Sequence, residues 1–140
     1  VETEDSMEIA YEKAKELLKT YPDLKGFLGT SSYDAPGAGK AITELGLAGK
    51  AVAVGTSVTS CCADQLSNDS MAAALCWDPA TAGYVMNELA QMVLEGRESE
   101  IVDGLNLGQE GYESLTVNGK YLNGEGWIVI TKENMGDYNF

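Results

Sequence analysis

The chain has no histidine, only nine basic side chains against 22 acidic ones, three cysteines and two tryptophans. Zero histidine removes Ser-His and Cys-His catalytic pairs, His-ligated zinc and the commonest general base. Three thiols cannot supply four metal ligands, and no C-x-x-C occurs, so neither metal nor cofactor is expected. A formal charge of -13 leaves too few Lys and Arg to neutralise phosphate, which argues against nucleic acid or an anionic membrane as partner. No stretch approaches the roughly 18 consecutive apolar residues of a bilayer-spanning helix. The first residue is Val1, with no basic and apolar leader behind a methionine, so the expectation is a processed chain or a fragment. The pattern along the chain favours a fragment, although 140 residues would suit one ordinary domain.

What is present reads as alternating strands and helices. Asp5 or Ser6 can cap a helix, with Glu8 close behind and Met7, Ala10, Ala14, Leu17, Leu18 and Tyr21 at three- and four-residue steps, stopped by Pro22. Leu24–Thr30 is a short apolar strand, Ser31–Ala35 a polar loop, and Pro36 fits the first turn of a helix running to Leu45 and closed by Gly46. Ala51–Thr56 reads as a strand buried on both faces, followed by a short helix over Cys62–Ser67 and a strand over Met71–Trp77. Asp78-Pro79 starts a helix whose stripe is Ala82, Val85, Met86, Leu89, Ala90 and Val93, ending at Leu94 and Gly96. This order predicts an α/β fold, a parallel sheet flanked by helices through right-handed crossovers.

After a charged, Gly-punctuated linker around Glu95–Glu100, the pattern changes. Ile101–Leu107 alternates loosely. Glu113–Val117 and Lys120–Leu122 read as a hairpin about a type I′ turn at Asn118-Gly119, and Trp127–Thr131 as a last strand before a polar tail.

In open parallel sheets ligands sit beyond the carboxyl ends of the strands. Three loops qualify and offer Ser31, Ser32, Tyr33 and Asp34; Thr56, Ser57 and Thr59; and Trp77 and Asp78. Hydroxyls, two carboxylates and two aromatics without a cation suit a polyhydroxyl ligand and suit phosphate poorly. The same residues have ordinary structural uses: Asp78 and Asp34 as helix caps, Trp77 as core, Ser and Thr as turn residues. Cys61-Cys62 lies near no Lys or Arg, so small buried side chains are a better reading than a redox pair. Gly37-x-Gly39 falls inside a helix and Gly108-x-x-Gly111 lacks a strand–turn–helix setting, so neither is a phosphate loop.

The stretches YPDLKGFLGTSSYDAPGAGKAITELGLAGKAVAVGT, ALCWDPATAGYVMNELAQMVLEG and GWIVITKENMGDYNF resemble the C-terminal half of type I periplasmic solute-binding proteins of sugar ABC transporters. The resemblance is to the branch holding rhamnose receptors and receptors for the furanosyl autoinducer, autoinducer-2. It implies a two-lobe receptor closing on one small sugar-like ligand and handing it to a membrane permease. It further implies that residues 1–77 are part of one lobe, 78–126 the crossover helix and strands of the other, and 127–140 the return strand and tail. By the same resemblance the ligand loops are those holding Ser31, Ser57 and Trp77-Asp78, in a periplasmic or extracellular protein, with or without a lipid anchor on the full-length form. Thr59 stands where the family's loop carries proline.

With one cleft wall encoded, the chain alone is expected to bind sugar weakly or not at all. The apolar face from Ala82 to Val93 is expected to seek a partner, as a homodimer or swapped assembly, or to fold back on its own sheet. Two other functions compete: the effector domain of a sugar-responsive LacI-type transcription regulator, and a small α/β lyase or isomerase using Asp34 and Asp78 as acid and base.

Overall fold

The computed structural model describes all of residues 1–140. Helix α1 (Met7–Thr20) begins at Ser6, whose hydroxyl accepts the Ile9 amide at 3.4 Å, and Pro22 follows its end. Strand β1 (Gly26–Gly29), helix α2 (Asp34–Glu44), strand β2 (Val52–Thr56), helix α3 (Thr59–Ser67) and strand β3 (Met71–Trp77) follow in alternation. Helix α4 (Pro79–Leu94), a hairpin of β4 (Thr116–Asn118) and β5 (Tyr121–Asn123), and β6 (Trp127–Ile130) complete the order.

The chain divides into two compact units. The first is Val1–Cys76 with Val129–Phe140, and the second is Trp77–Ile128.

In the first unit the sheet order is β1-β2-β3-β6, with β1, β2 and β3 parallel. Helix α2 is made of small residues where it is packed on all sides, over Ala35–Gly39, while Lys40, Thr43 and Glu44 are exposed. Ala35, Pro36, Gly37, Ala38, Gly39, Ala41 and Ile42 are all buried. At Gly37 a Cβ would lie 2.7 Å from both Ala10 Cβ and the Met7 carbonyl, so this glycine sets how closely α1 and α2 approach. The Gly37-x-Gly39 pair is therefore a packing surface.

The strands are not buried on both faces. Phe27 and Ala53 pair on the face that α2 covers through Met71, while Leu28, Val52 and Val54 point the other way. Leu28 is 78% exposed and Val52 36%. An apolar run of this kind signals a sheet with two covered faces, but α1–α3 supply one layer only.

In the second unit the inward seam of α4 is Val85, Leu89 and Met92, closing on Leu107, Leu115, Ile101, Leu105 and Tyr112. Met86 and Val93, expected in the same stripe, are 68% and 47% exposed. Ile101–Leu107 forms no strand and meets Leu115 through an isolated bridge at Leu105 and the Gly104 amide. The hairpin turn is shifted by one residue. Asn118 pairs with Tyr121, so Gly119-Lys120 forms the turn, and only Gly119 has positive φ (62°), the pattern of type II′.

Candidate functional site

The parallel order sets the carboxyl ends of β1 and β2 side by side in the first unit. After β1 the chain turns through Ser31, Ser32 and Tyr33 into α2, and the Tyr33 amide donates to Ser31 Oγ at 3.3 Å. Asp34 holds this turn. One carboxylate oxygen accepts the Thr30 and Ser31 amides at 3.0 and 2.9 Å, and the other accepts the Thr3 hydroxyl. Its partners precede it in the chain, so it clasps the loop and does not cap α2. Partial burial pushes its pKa up, but the bonds from Thr3, Ser31 and Thr30 outweigh that and hold it below the usual carboxylate range.

After β2, Ser57 is fully buried. Its hydroxyl donates to the Ser32 carbonyl at 2.9 Å and its amide to Leu75 O at 3.1 Å. The two hydroxyl-rich loops are thereby tied together at Ser32 and Ser57. Helix α3 begins at Thr59, three residues before the expected start. The Thr59 hydroxyl is buried and makes no hydrogen bond within the chain. Neither loop carries a basic side chain, so nothing here neutralises a phosphate.

The second unit holds Trp77 and Asp78. Asp78 caps α4, accepting the Ala80 amide at 2.8 Å and the Thr81 hydroxyl at 3.1 Å, and these bonds keep its pKa low. Trp77 is 48% exposed and meets Trp127 edge to face, with centroids 5.6 Å apart. A cavity of about 320 Å³ opens between Trp77, Trp127, Tyr112 and Leu122. A second, of about 370 Å³, is bounded by Asp78, Thr81, Glu110, Glu125 and Trp127.

Tyr112 and Trp127 were not singled out from the sequence. A cue was present in Gly111, Gly124 and Gly126. A Cβ on Gly126 would lie 2.5 Å from the Tyr112 ring, and the Glu125 amide donates to Gly111 O at 2.7 Å. Glycine on both sides of a tyrosine thus marks where its ring lies flat on backbone. A separate cavity of about 130 Å³ between α1 and β1 is walled by Ala10, Ala14, Leu17 and Phe27 and reaches the bonded pair Thr3 and Asp34 and the Lys13 side chain.

Two of the three thiols are withdrawn from the surface. Cys62 and Cys76 are buried, and burial pushes both pKa values up. No group of His, Cys, Asp or Glu is placed to hold a metal ion.

A family model described as periplasmic binding protein domain matches residues 1–98. No curated protein matches the chain in sequence. Solved structures do match in fold. A sugar ABC transporter protein from Actinomyces odontolyticus aligns at TM-score 0.78 and 19% identity, covering 100% of this chain and 45% of that one. LsrB from Clostridium saccharobutylicum, solved with AI-2, aligns at 0.72 and 17%, covering 99% and 47%. An ABC transporter solute-binding protein from Clostridium phytofermentas, solved with L-rhamnose, aligns at 0.73 and 15%, covering 97% and 46%. The chain spans less than half the length of each of these structures.

Proposed function

The chain belongs to the periplasmic binding protein domain family, and from that premise we propose that it supplies one wall of a sugar-binding cleft. The whole receptor would be the extracytoplasmic solute-binding component of an ABC importer. Its ligand is a small neutral sugar or sugar-like molecule. Residues 1–77 and 127–140 belong to one lobe and 78–126 to the other. The observation that carries this reading is the pair of hydroxyl-rich, cation-free loops at the carboxyl edge of the parallel strands, tied by the Ser57–Ser32 bond.

Ser31, Ser32, Tyr33, Asp34, Ser57, Thr59, Trp77 and Asp78 are the proposed ligand contacts. Hydroxyls and backbone groups meet sugar hydroxyls, while an indole covers the C–H face of the ring. Binding proceeds by closure of two lobes, with the ligand favouring the closed form that a permease recognises. In this reading no bond is made or broken.

Calorimetry with deoxyhexoses, pentoses, the furanosyl autoinducer and a hexose phosphate tests the reading. Neutral sugars should give weak heats with this chain, because one wall holds only part of the contacts, and the phosphate none. Tight binding of the phosphate would overturn the proposed ligand class. Micromolar binding of a neutral sugar would overturn the claim that half of the cleft is missing.

A further inference from the structure

Helix α3 begins without a capping side chain. Its N-cap is Val58, which has no oxygen to offer, and the Thr59 hydroxyl accepts nothing. The first amides of a helix need an acceptor from somewhere. Ser60 finds one in a distant residue: its amide donates to the Phe140 carbonyl at 3.0 Å.

The segment leading to Phe140 is fixed by polar ties more than by burial. Where it leaves β6, the Thr131 amide donates to Asn134 Oδ1 at 2.6 Å, and Asn134 Nδ2 donates to the Val129 carbonyl at 2.9 Å. Lys132 then donates to both carboxylate oxygens of Asp69 at 2.9 Å, just beyond the carboxyl end of α3. Asp69 sits in the left-handed region at φ 63°, so the turn closing α3 and its ion pair coincide. Between these ends, Ser67 and Met135 come together, and Tyr138 packs against Phe140 with centroids 5.9 Å apart. Phe140 itself remains 45% exposed.

We infer that Lys132–Phe140 is a strap anchored at both ends of α3, whose role is to position the Ser57–Thr59 loop. The inference rests on reading that loop as part of the sugar site. The coupling is short. Ser57 immediately precedes the N-cap Val58, and its hydroxyl is already committed to Ser32. Any shift of the first turn of α3 therefore moves both hydroxyl-rich loops. Lys132, Asn134 and Phe140 are positioning residues in this account and touch no ligand.

Amide hydrogen exchange by NMR on the chain and three variants tests it: removal of Tyr138–Phe140, Lys132→Met, and Lys132→Arg. Removal should speed exchange at Ser60 on the order of ten-fold, with Cys61 following, while Ile42 and Ala53 in the core stay unchanged. Lys132→Met should speed Ser60 by roughly two- to five-fold, and Lys132→Arg should restore wild-type protection. L-rhamnose titrated into the same samples should shift Ser57 and Thr59 less in the first two variants than in wild type or Lys132→Arg. Unchanged Ser60 exchange in both weakened variants would overturn the strap. So would equal loosening of Ile42 and Ser60, since the tail would then be ordinary core. If L-rhamnose and D-fucose perturb nothing in wild type, the sugar reading fails, while the exchange data still decide whether the strap holds the loop.

Discussion

At the scale of single residues, Asp34 joins the amino-terminal segment to the loop after β1. Three donors favour its charged form, and its pKa is lower folded than unfolded. Its contribution is therefore present above the unfolded carboxylate value of about 3.9 and is lost as pH falls through the lower folded value. Urea titrations should show stability declining below about pH 4, with a shallower decline in Asp34→Asn. Gly55 bears on the same edge of the sheet. A Cβ there would collide with the backbone carbonyl of Gly29 in the neighbouring strand. Because backbone cannot give as a side-chain tip can, Gly55→Ala should cost about 1–3 kcal/mol in denaturant unfolding. The cysteines should separate by burial: a maleimide should label Cys61 in the native protein well before Cys62 or Cys76, and all three only after unfolding.

At the scale of elements, α4 separates two roles for Asp78. As a cap it is replaceable by Asn, whereas a ligand contact that needs the charge is not. Asp78→Ala should lower the urea midpoint, and Asp78→Asn should leave it near wild type. Loss of sugar response in both variants would assign the carboxylate to the ligand as well as to the helix. Caps such as Ser6 and Asp78 were legible in sequence because the donor and acceptor lie within three residues. The hairpin was legible as a hairpin but not in its register, since cross-strand pairs such as Val117 and Leu122 decide whether Asn118 belongs to turn or strand. The seam of α4 was shifted for a related reason. Ala82–Val93 is apolar on more than one face, and only the arrival of Leu107 and Leu115 selects Val85, Leu89 and Met92 as the inner one. Of the candidate site, the strand-end loops were readable from local pattern. Thr3 holding Asp34 from 31 residues away, and Trp127 meeting Trp77 across 50, were not.

At the scale of the whole molecule, each unit leaves apolar surface uncovered. Leu28 and Val52 face outward on the sheet, and Met86, Val93 and Leu94 do so on α4. Contiguous exposed apolar surface favours association. Sedimentation velocity should show concentration-dependent self-association of this chain, reduced by Leu28→Glu or Met86→Glu; a monomer at high concentration would contradict this. The charge of -13 opposes non-specific clumping and makes any association stronger at higher salt. The central claim is that this chain carries one wall of a cleft for a neutral sugar. NMR titration of the isotopically labelled chain with L-rhamnose, D-fucose and a hexose phosphate tests it most directly. Neutral sugars should give weak, saturable shifts at Ser31, Ser32, Ser57, Thr59 and the Trp77 indole, and the phosphate none. Shifts confined to other residues, or a phosphate response stronger than that of any neutral sugar, would contradict it.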